Sequence, residues 1–419
     1  MKLKHFSLAA IAAAAIGSLA TSVSADVITD WNLITVNATK VAPALNSNLA
    51  SRIDAIEAIA VYDAVNSIKQ FGTSYHYYSP NTGSAQAAAA QAAHDVLTNY
   101  FPSQISVLDS NLVYSLNNIT DGAIGNGQLV GSAAAQDIIA LRANDGSSPN
   151  VNYSGPGTIV PGAYQLTPNS PTVSSNFTFA GGINEQWGTV TPFILTNSSQ
   201  FRPPPPPPVT GNAKAYILAL NQAKTSGATN SPSHTAEQTH LANFYKQDAE
   251  LTINEAARDL ALANNVTLTN SALLFALLDI AVADSRIAVW DAKYQYLYWR
   301  PITALNASAS GVVTNGYTAW QPTIVTPNHP DYPSGHSGTV TAGAEILVAF
   351  FGDVNTFTLH TTTAGESPRT LSSLSQLESD NGLSRIYGGI HYPFDNSEGQ
   401  AVGALVAAYT LANGPHFNP

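Results

Sequence analysis

Six consecutive prolines, Pro203 to Pro208, constrain this chain more than any other stretch. Each lacks a backbone N–H and holds φ near its ring value, so neither a helix interior nor a central strand accommodates the run. It predicts an extended polyproline II rod. The residues leading up to it, from 144 onward, are rich in Gly, Pro, Asn, Ser and Thr and include Trp187-Gly188 and Pro192-Phe193. A structureless loop of that length is unusual inside a compact domain. The stretch therefore reads as an excursion that wraps the protein, anchored by Trp187 and Phe193. The rod has two readings: a ligand for a proline-binding module, or a rigid connector between helical halves. The connector is preferred.

On both sides of the rod, apolar residues recur at helical spacing. Residues 48–68 bring Ile53, Ile56, Ile59, Ala60 and Val65 to one face, and further helices are expected at 84–100, 103–118 and 127–143. Beyond the prolines, helices are expected at 212–226, 235–264, 271–290, 335–351, 372–381 and 396–412. The segment 26–47 reads as irregular, with Trp31 and Val36 as anchors. No heptad, internal repeat or β-alternation is evident. The expected fold class is mainly α: two packed helical bundles with a long Pro/Gly-rich connecting loop. The expected divisions are a signal peptide at 1–25, an N-terminal helical part at 26–145, the wrapping connector at 146–211 and a C-terminal helical part at 212–419.

Composition narrows the partners. A net charge of −11, with only 16 Lys and Arg in 419 residues, argues against nucleic acid and anionic membrane surfaces. No cysteine is present, which excludes disulfides, thiolate metal sites and a cysteine nucleophile. Hydrophobic residues make up 44%, enough for a sizeable core. At the start, Lys2 and Lys4 precede the apolar run Leu8 to Ala20 and the small-residue triplet Val23-Ser24-Ala25. This is the pattern of a secretory signal cleaved near Asp26. The run is shorter than the roughly 20 residues of a spanning helix. The expectation is an exported protein, periplasmic or secreted, with no membrane span after signal removal.

Three of the scarce cations fall in three short motifs of the last third. These are WDAKYQYLYWRP, with Lys293 and Arg300-Pro301; HPDYPSGHS, with Ser334-Gly335-His336; and SRIYGGIHYPFD, with Arg385, His391 and Asp395. Three cations, two imidazoles, a hydroxyl and an unobstructed glycine amide suit a tetrahedral, multiply charged oxyanion. Arg offers a planar fork to such oxygens and Lys a compact charge. Gly335 opens an expected helix whose N-terminus favours an anion. Two imidazoles divide the remaining work between attack or coordination at the central atom and acid–base transfer. Each motif alone arises readily by chance, and a lone His is more often structural. The specificity lies in all three occurring in order.

The pattern Lys293-x6-Arg300-Pro301, Pro333-Ser334-Gly335-His336, Ser384-Arg385-x5-His391-x3-Asp395 resembles the type 2 phosphatidic acid phosphatase and vanadium-dependent haloperoxidase superfamily. The resemblance implies that Lys293, Arg300 and Arg385 bind the oxygens of vanadate or phosphate, which compete for one site, assisted by Ser334 and the Gly335 amide. It implies His336 as the acid–base residue, His391 as the vanadate ligand and Asp395 as the carboxylate that orients His391. The implied activity is oxidation of a halide by hydrogen peroxide to hypohalous acid. Its alternative is an exported acid phosphatase acting on a phosphomonoester through a phosphohistidine at His391. A non-catalytic oxyanion binder is a third class, disfavoured because binding alone does not need His336.

Two flanking residues bear on halide choice. Trp290, three residues before Lys293, is similar to the aromatic of the fungal chloroperoxidase-like pattern; His329, seven before His336, is similar to the algal bromoperoxidase arrangement. A loop histidine packed on Tyr332 is the plainer reading of His329. Three carboxylates on apolar helix faces remain. Asp63 reads as a hydrogen-bonded core carboxylate or the partner of a site arginine, and Asp279 and Asp284 as guanidinium partners or paired structural carboxylates.

Overall fold

The computed structural model describes residues 26–42, 45–168, 181–211, 213–313 and 317–418. The expected signal peptide lies outside the described residues, as does the middle of the connector, 169–180. Among the described residues, no helix is long and apolar enough to cross a membrane.

The architecture is mainly α, as expected. The N-terminal part comprises α1 (Val27–Val41), α2 (Ser47–Lys69), α3 (Ala85–Tyr100), α4 (Ile105–Asn117) and α5 (Ile124–Arg142). After the connector come α6 (Lys214–Ser226), α7 (Ala236–Phe244), α8 (Ala249–Ala263), α9 (Leu268–Tyr296), the short α10 (Pro301–Asn306), α11 (Gly335–Phe351), α12 (Leu374–Tyr387) and α13 (Pro393–Asn413). The central element is α9, which packs against α2 on one side and α11 and α13 on the other. It is buried nearly all round from Ser271 to Lys293, as a helix hydrophobic on every face must be. One apolar cluster runs from Ile28 through α2, α3, α8, α9 and α11 to Ala407.

Four expectations need correction. Residues 27–41, read as irregular, form α1, because Asp26 caps the first turn by accepting from the Ile28 and Thr29 amides at 3.0 and 2.9 Å. Its β-branched residues have weak helix propensity, and burial of Trp31, Val36 and their neighbours compensates. The single helix expected at 235–264 is two, broken at residues 245–248. The helices expected at 271–290 and 372–381 run on to Tyr296 and Tyr387, carrying Lys293 and Arg385 in their last turns. A two-stranded antiparallel hairpin, β1 (Phe357–Leu359) and β2 (Arg369–Leu371), was not anticipated, being too short for alternation to register.

The connector is bound tightly to the helices. Trp187 and Phe193 are buried, and the carboxylate of Asp284 on α9 accepts from the Phe193, Ile194 and Leu195 amides at 2.6, 2.8 and 3.0 Å. Asp63 does the same for the amides of Tyr75, His76 and Tyr77. Asp279 accepts from the Asn254 amide nitrogen at 2.9 Å. All three are therefore structural carboxylates. The proline rod is clamped by three phenols: Tyr296 donates to the Pro203 carbonyl at 2.7 Å, Tyr332 to Pro204 at 2.7 Å and Tyr298 to Pro207 at 2.9 Å.

Candidate active site

The three motifs converge where five helix ends meet. Lys293 occupies the last turn of α9. Leu297 then takes a left-handed conformation, φ 45°, that stops the helix, a strained state for a branched side chain. This reversal brings Arg300, the residue capping α10, back toward the helix end. Ser334 caps α11, its Oγ accepting from the Ser337 amide at 3.4 Å, and its own amide donates to the Asp395 carbonyl at 2.9 Å. The first-turn amides at Gly335 and His336 have no acceptor within the helix. A Cβ at Gly335 would lie 3.3 Å from the Trp290 ring and 3.9 Å from Lys293 Cε, so a side chain there would crowd the Trp290 ring.

His391 sits just before α13 and is held from its Nδ1 side. Asp331 Oδ1 lies 2.6 Å from Nδ1 and Asp395 Oδ2 lies 3.2 Å away. That pairing puts the proton on Nδ1 and leaves Nε2 with a lone pair, toward which Arg300 Nη1 points at 3.1 Å. Arg300 is fully buried and also bonds Asp331 Oδ1 at 3.0 Å, the Ile390 carbonyl at 2.7 Å, and the His329 carbonyl and ring. Asp331, inside the second motif, is a site residue that the motif reading did not single out. Only its acidity, two residues from His329 and three from Ser334, hinted at it.

The helix break at residues 245–248 supplies two acceptors that no side-chain pattern could reveal. Arg385 Nη2 donates to the Tyr245 carbonyl at 2.5 Å, and His336 Nε2 lies 3.0 Å from the Gln247 carbonyl. A carbonyl only accepts, so Nε2 carries the proton and Nδ1 is the basic nitrogen of His336. His329 rests on Trp290, ring centroids 4.8 Å apart, and not on Tyr332, whose hydroxyl goes to the proline rod. Trp290, His329, Gly335, His336 and His391 all line one cavity of about 280 Å³, with Lys246 and Asp248 at its exposed rim.

Electrostatics identify what this cavity lacks. Burial, and then the Arg300 charge, hold Lys293 well below the usual lysine range. The same causes bring Arg385 down to about 9. Burial and the cations around them keep His391, His336 and His329 neutral well below the ordinary imidazole value. On the acidic side, burial and the neighbouring Asp331 push Asp395 well above the usual carboxylate range. Burial raises Asp331 too, to about 6, but its pairing with Arg300 leaves it the more acidic of the two. Asp331, His391 and Asp395 place ligand-type atoms within 4.8 Å of one another. Arg300 already holds Asp331, so this trio orients an imidazole and is not a cation site. Three buried cations face about one carboxylate charge.

Comparison with known proteins places this geometry. Residues 273–415 match the model of the VCPO second helical-bundle domain. Vanadium chloroperoxidase from Curvularia inaequalis is 28% identical over 182 aligned residues, covering 36% of this chain and 30% of that protein's length. Among solved structures, the first bacterial vanadium-dependent iodoperoxidase has a TM-score of 0.78 at 21% identity, over 95% of this chain and 99% of that one. A holo-type bacterial vanadium-dependent chloroperoxidase has 0.71 at 18%, over 94% and 99%. By its matched domain and its fold, the chain is similar to the vanadium haloperoxidases.

The residues present fit a vanadate-type oxyanion. Burial, and then the shared Arg300 charge, depress both Lys293 and Arg385, a strain that a bound anion would relieve. Lys293 Nζ now donates to the Pro330 and Asp331 carbonyls at 2.8 and 2.7 Å, leaving its third proton for a ligand oxygen. Lys293, Arg300, Arg385, Ser334 and the Gly335 amide would hold the oxygens, with His391 Nε2 toward the central atom.

Proposed function

We propose that the chain is an exported vanadate-dependent haloperoxidase that oxidises a halide with hydrogen peroxide to hypohalous acid. The observation that carries this reading is the arrangement at His391. Its Nδ1 proton is fixed by Asp331 and Asp395, its Nε2 lone pair is turned to the cations, and the cavity before it is walled by Trp290 and His329. When bound, vanadate supplies Lewis acidity toward peroxide without changing its own oxidation state. The chain does the rest. Lys293, Arg300 and Arg385 neutralise oxyanion charge. Asp331 and Asp395 keep His391 in the tautomer that presents Nε2. His336, neutral because of burial and the nearby Arg385 and Arg286 charges, accepts a proton at Nδ1 from incoming peroxide and returns it when the oxidised halide leaves. Trp290 and His329 form the apolar, polarizable wall beside which the halide passes.

Vanadate-loaded protein is expected to brominate a phenolic dye with bromide and peroxide. His336→Ala should lower kcat by about 100-fold or more with vanadate affinity retained, whereas His391→Ala should lose vanadate binding itself. Phosphomonoester hydrolysis with a trapped phosphohistidine at His391, and no bromination after vanadate loading, would replace this reading by the phosphatase one.

A further inference from the structure

The cavity has a second polar end that the oxyanion cradle does not use. Arg286 lies on α9 one turn before Trp290 and two before Lys293, so the three share a helix face, and Arg286 lines the cavity with His336 and His391. Only 3% of Arg286 is exposed. One edge of its guanidinium ion-pairs with Glu250, and Nη1 donates to Asn48 Oδ1 at 3.4 Å. Among the described residues, its Nε–H has no partner. Asn48, buried and also lining the cavity, leaves its Nδ2 amino group without a partner among the described residues.

Buried N–H groups left unpaired cost about 1–3 kcal/mol each. Two of them, on residues bonded to each other at one end of a cavity, call for a ligand that only accepts. The guanidinium makes that ligand an anion. Ile183, Trp290, Pro327 and Ile390 form the apolar walls, which disfavour a strongly hydrated or multiply charged ion. Glu250 behind the guanidinium and Asp248 at the rim oppose a second full negative charge on the same ligand. The main cradle, with three cations, takes the tetrahedral oxyanion and leaves this end for something smaller.

We propose that Arg286 and Asn48 form a second anion subsite, which holds the halide as a monovalent, weakly hydrated ion in the same cavity as His336. The identity of the anion as substrate rests on the haloperoxidase reading above; the existence of the subsite does not. Arg286 and Asn48 are thus specificity residues two helical turns from the oxyanion site, and iodide or bromide should be preferred over chloride.

The test is bromide NMR line width, recorded on the vanadate-free full chain with saturating phosphate filling the cradle. Wild type should broaden the bromide signal saturably. Asn48→Leu, and Arg286→Gln combined with Glu250→Gln so that no buried charge is left alone, should each weaken that binding about tenfold, equivalent to about 1.4 kcal/mol. Asn48→Leu carries the test if the double variant does not fold. In vanadate-loaded enzyme the same variants should raise the halide KM about tenfold and leave the peroxide KM unchanged. Unaltered line broadening and halide KM in both variants would overturn the subsite while leaving the peroxidase reading intact. Bromide binding that depends on Arg286, in a protein with no peroxidase activity, would uphold the subsite and sink the peroxidase reading.

Discussion

His391 shows how one residue can be governed by another that no pattern connects to it. Its ring has two carboxylate neighbours, and the nearer is Asp331, 2.6 Å away, not Asp395 at 3.2 Å. Asp395 has a second duty, accepting the Tyr392 amide at 2.8 Å at the start of α13, and burial beside Asp331 favours its protonated form. Asp331 binds both His391 Nδ1 and Arg300 Nη1 through the same oxygen, so it couples the imidazole to the cation facing it. Asp331→Ala should therefore weaken vanadate binding by about 10–100-fold, the usual effect of losing a partner behind a ligand. Equilibrium dialysis with orthovanadate measures it. An effect in Asp395→Asn larger than in Asp331→Ala would reverse this ranking.

Among the elements, the proline rod and the broken helix do related work from opposite sides. Prolines donate no backbone hydrogen bond, so the carbonyls of Pro203, Pro204 and Pro207 are available to the hydroxyls of Tyr296, Tyr332 and Tyr298. Those tyrosines flank Arg300 and Ser334 in the chain, and Tyr298 packs edge-on against Tyr332, Tyr392 and Phe394 behind the site. The rod thus braces the first two motifs against α13. On the other side, the α7–α8 break turns the Tyr245 and Gln247 carbonyls toward Arg385 and His336. Tyr298→Phe and Tyr332→Phe should each cost about 0.5–1.5 kcal/mol, read as a shift in the urea midpoint. No loss in the double variant would show the rod to be merely adjacent.

For the whole molecule, the site is a charge imbalance held in place by the surrounding core. A bound oxyanion should stabilise the fold through linkage, by about 2.7 kcal/mol at a hundred times its Kd. Melting temperature should therefore rise with orthovanadate, and phosphate should compete for the same increment. A second imbalance of opposite sign lies deeper, between α2, α8 and α9. Burial, and then the Asp279 charge, push Asp54 and Glu57 well above the carboxylate range, and burial brings Asp279 and Glu250 up to about 7. Among the described residues, both oxygens of Asp54 are unpartnered. A raised folded-state value means the contribution is fully present below the ordinary carboxylate value and is lost as pH rises through the folded one. Asp54→Asn should accordingly change stability little near pH 4 and stabilise by about 1–3 kcal/mol near pH 8, compared by thermal melts at the two pH values. Equal effects at both would remove Asp54 from the account.

Helices with strong apolar periodicity, such as 47–69 and 335–351, were legible from the sequence, because period and capping residues are local properties of the chain. So was the donor set of the site, since Lys293, Arg300, Ser334, Gly335, His336, Arg385 and His391 carry their chemistry in their residue types. Helix α1 was not legible, because its weak propensity is overruled by burial. Nor were the break after Phe244, the Asp331 pairing, the clamp on the prolines, or Arg286 with Asn48. These depend on contacts between distant positions and, at Tyr245 and Gln247, on backbone carbonyls that every residue shares. The sequence determined which groups are available to an oxyanion. Only the packing of α9 against its neighbours decided which of them face the cavity and which proton each imidazole keeps.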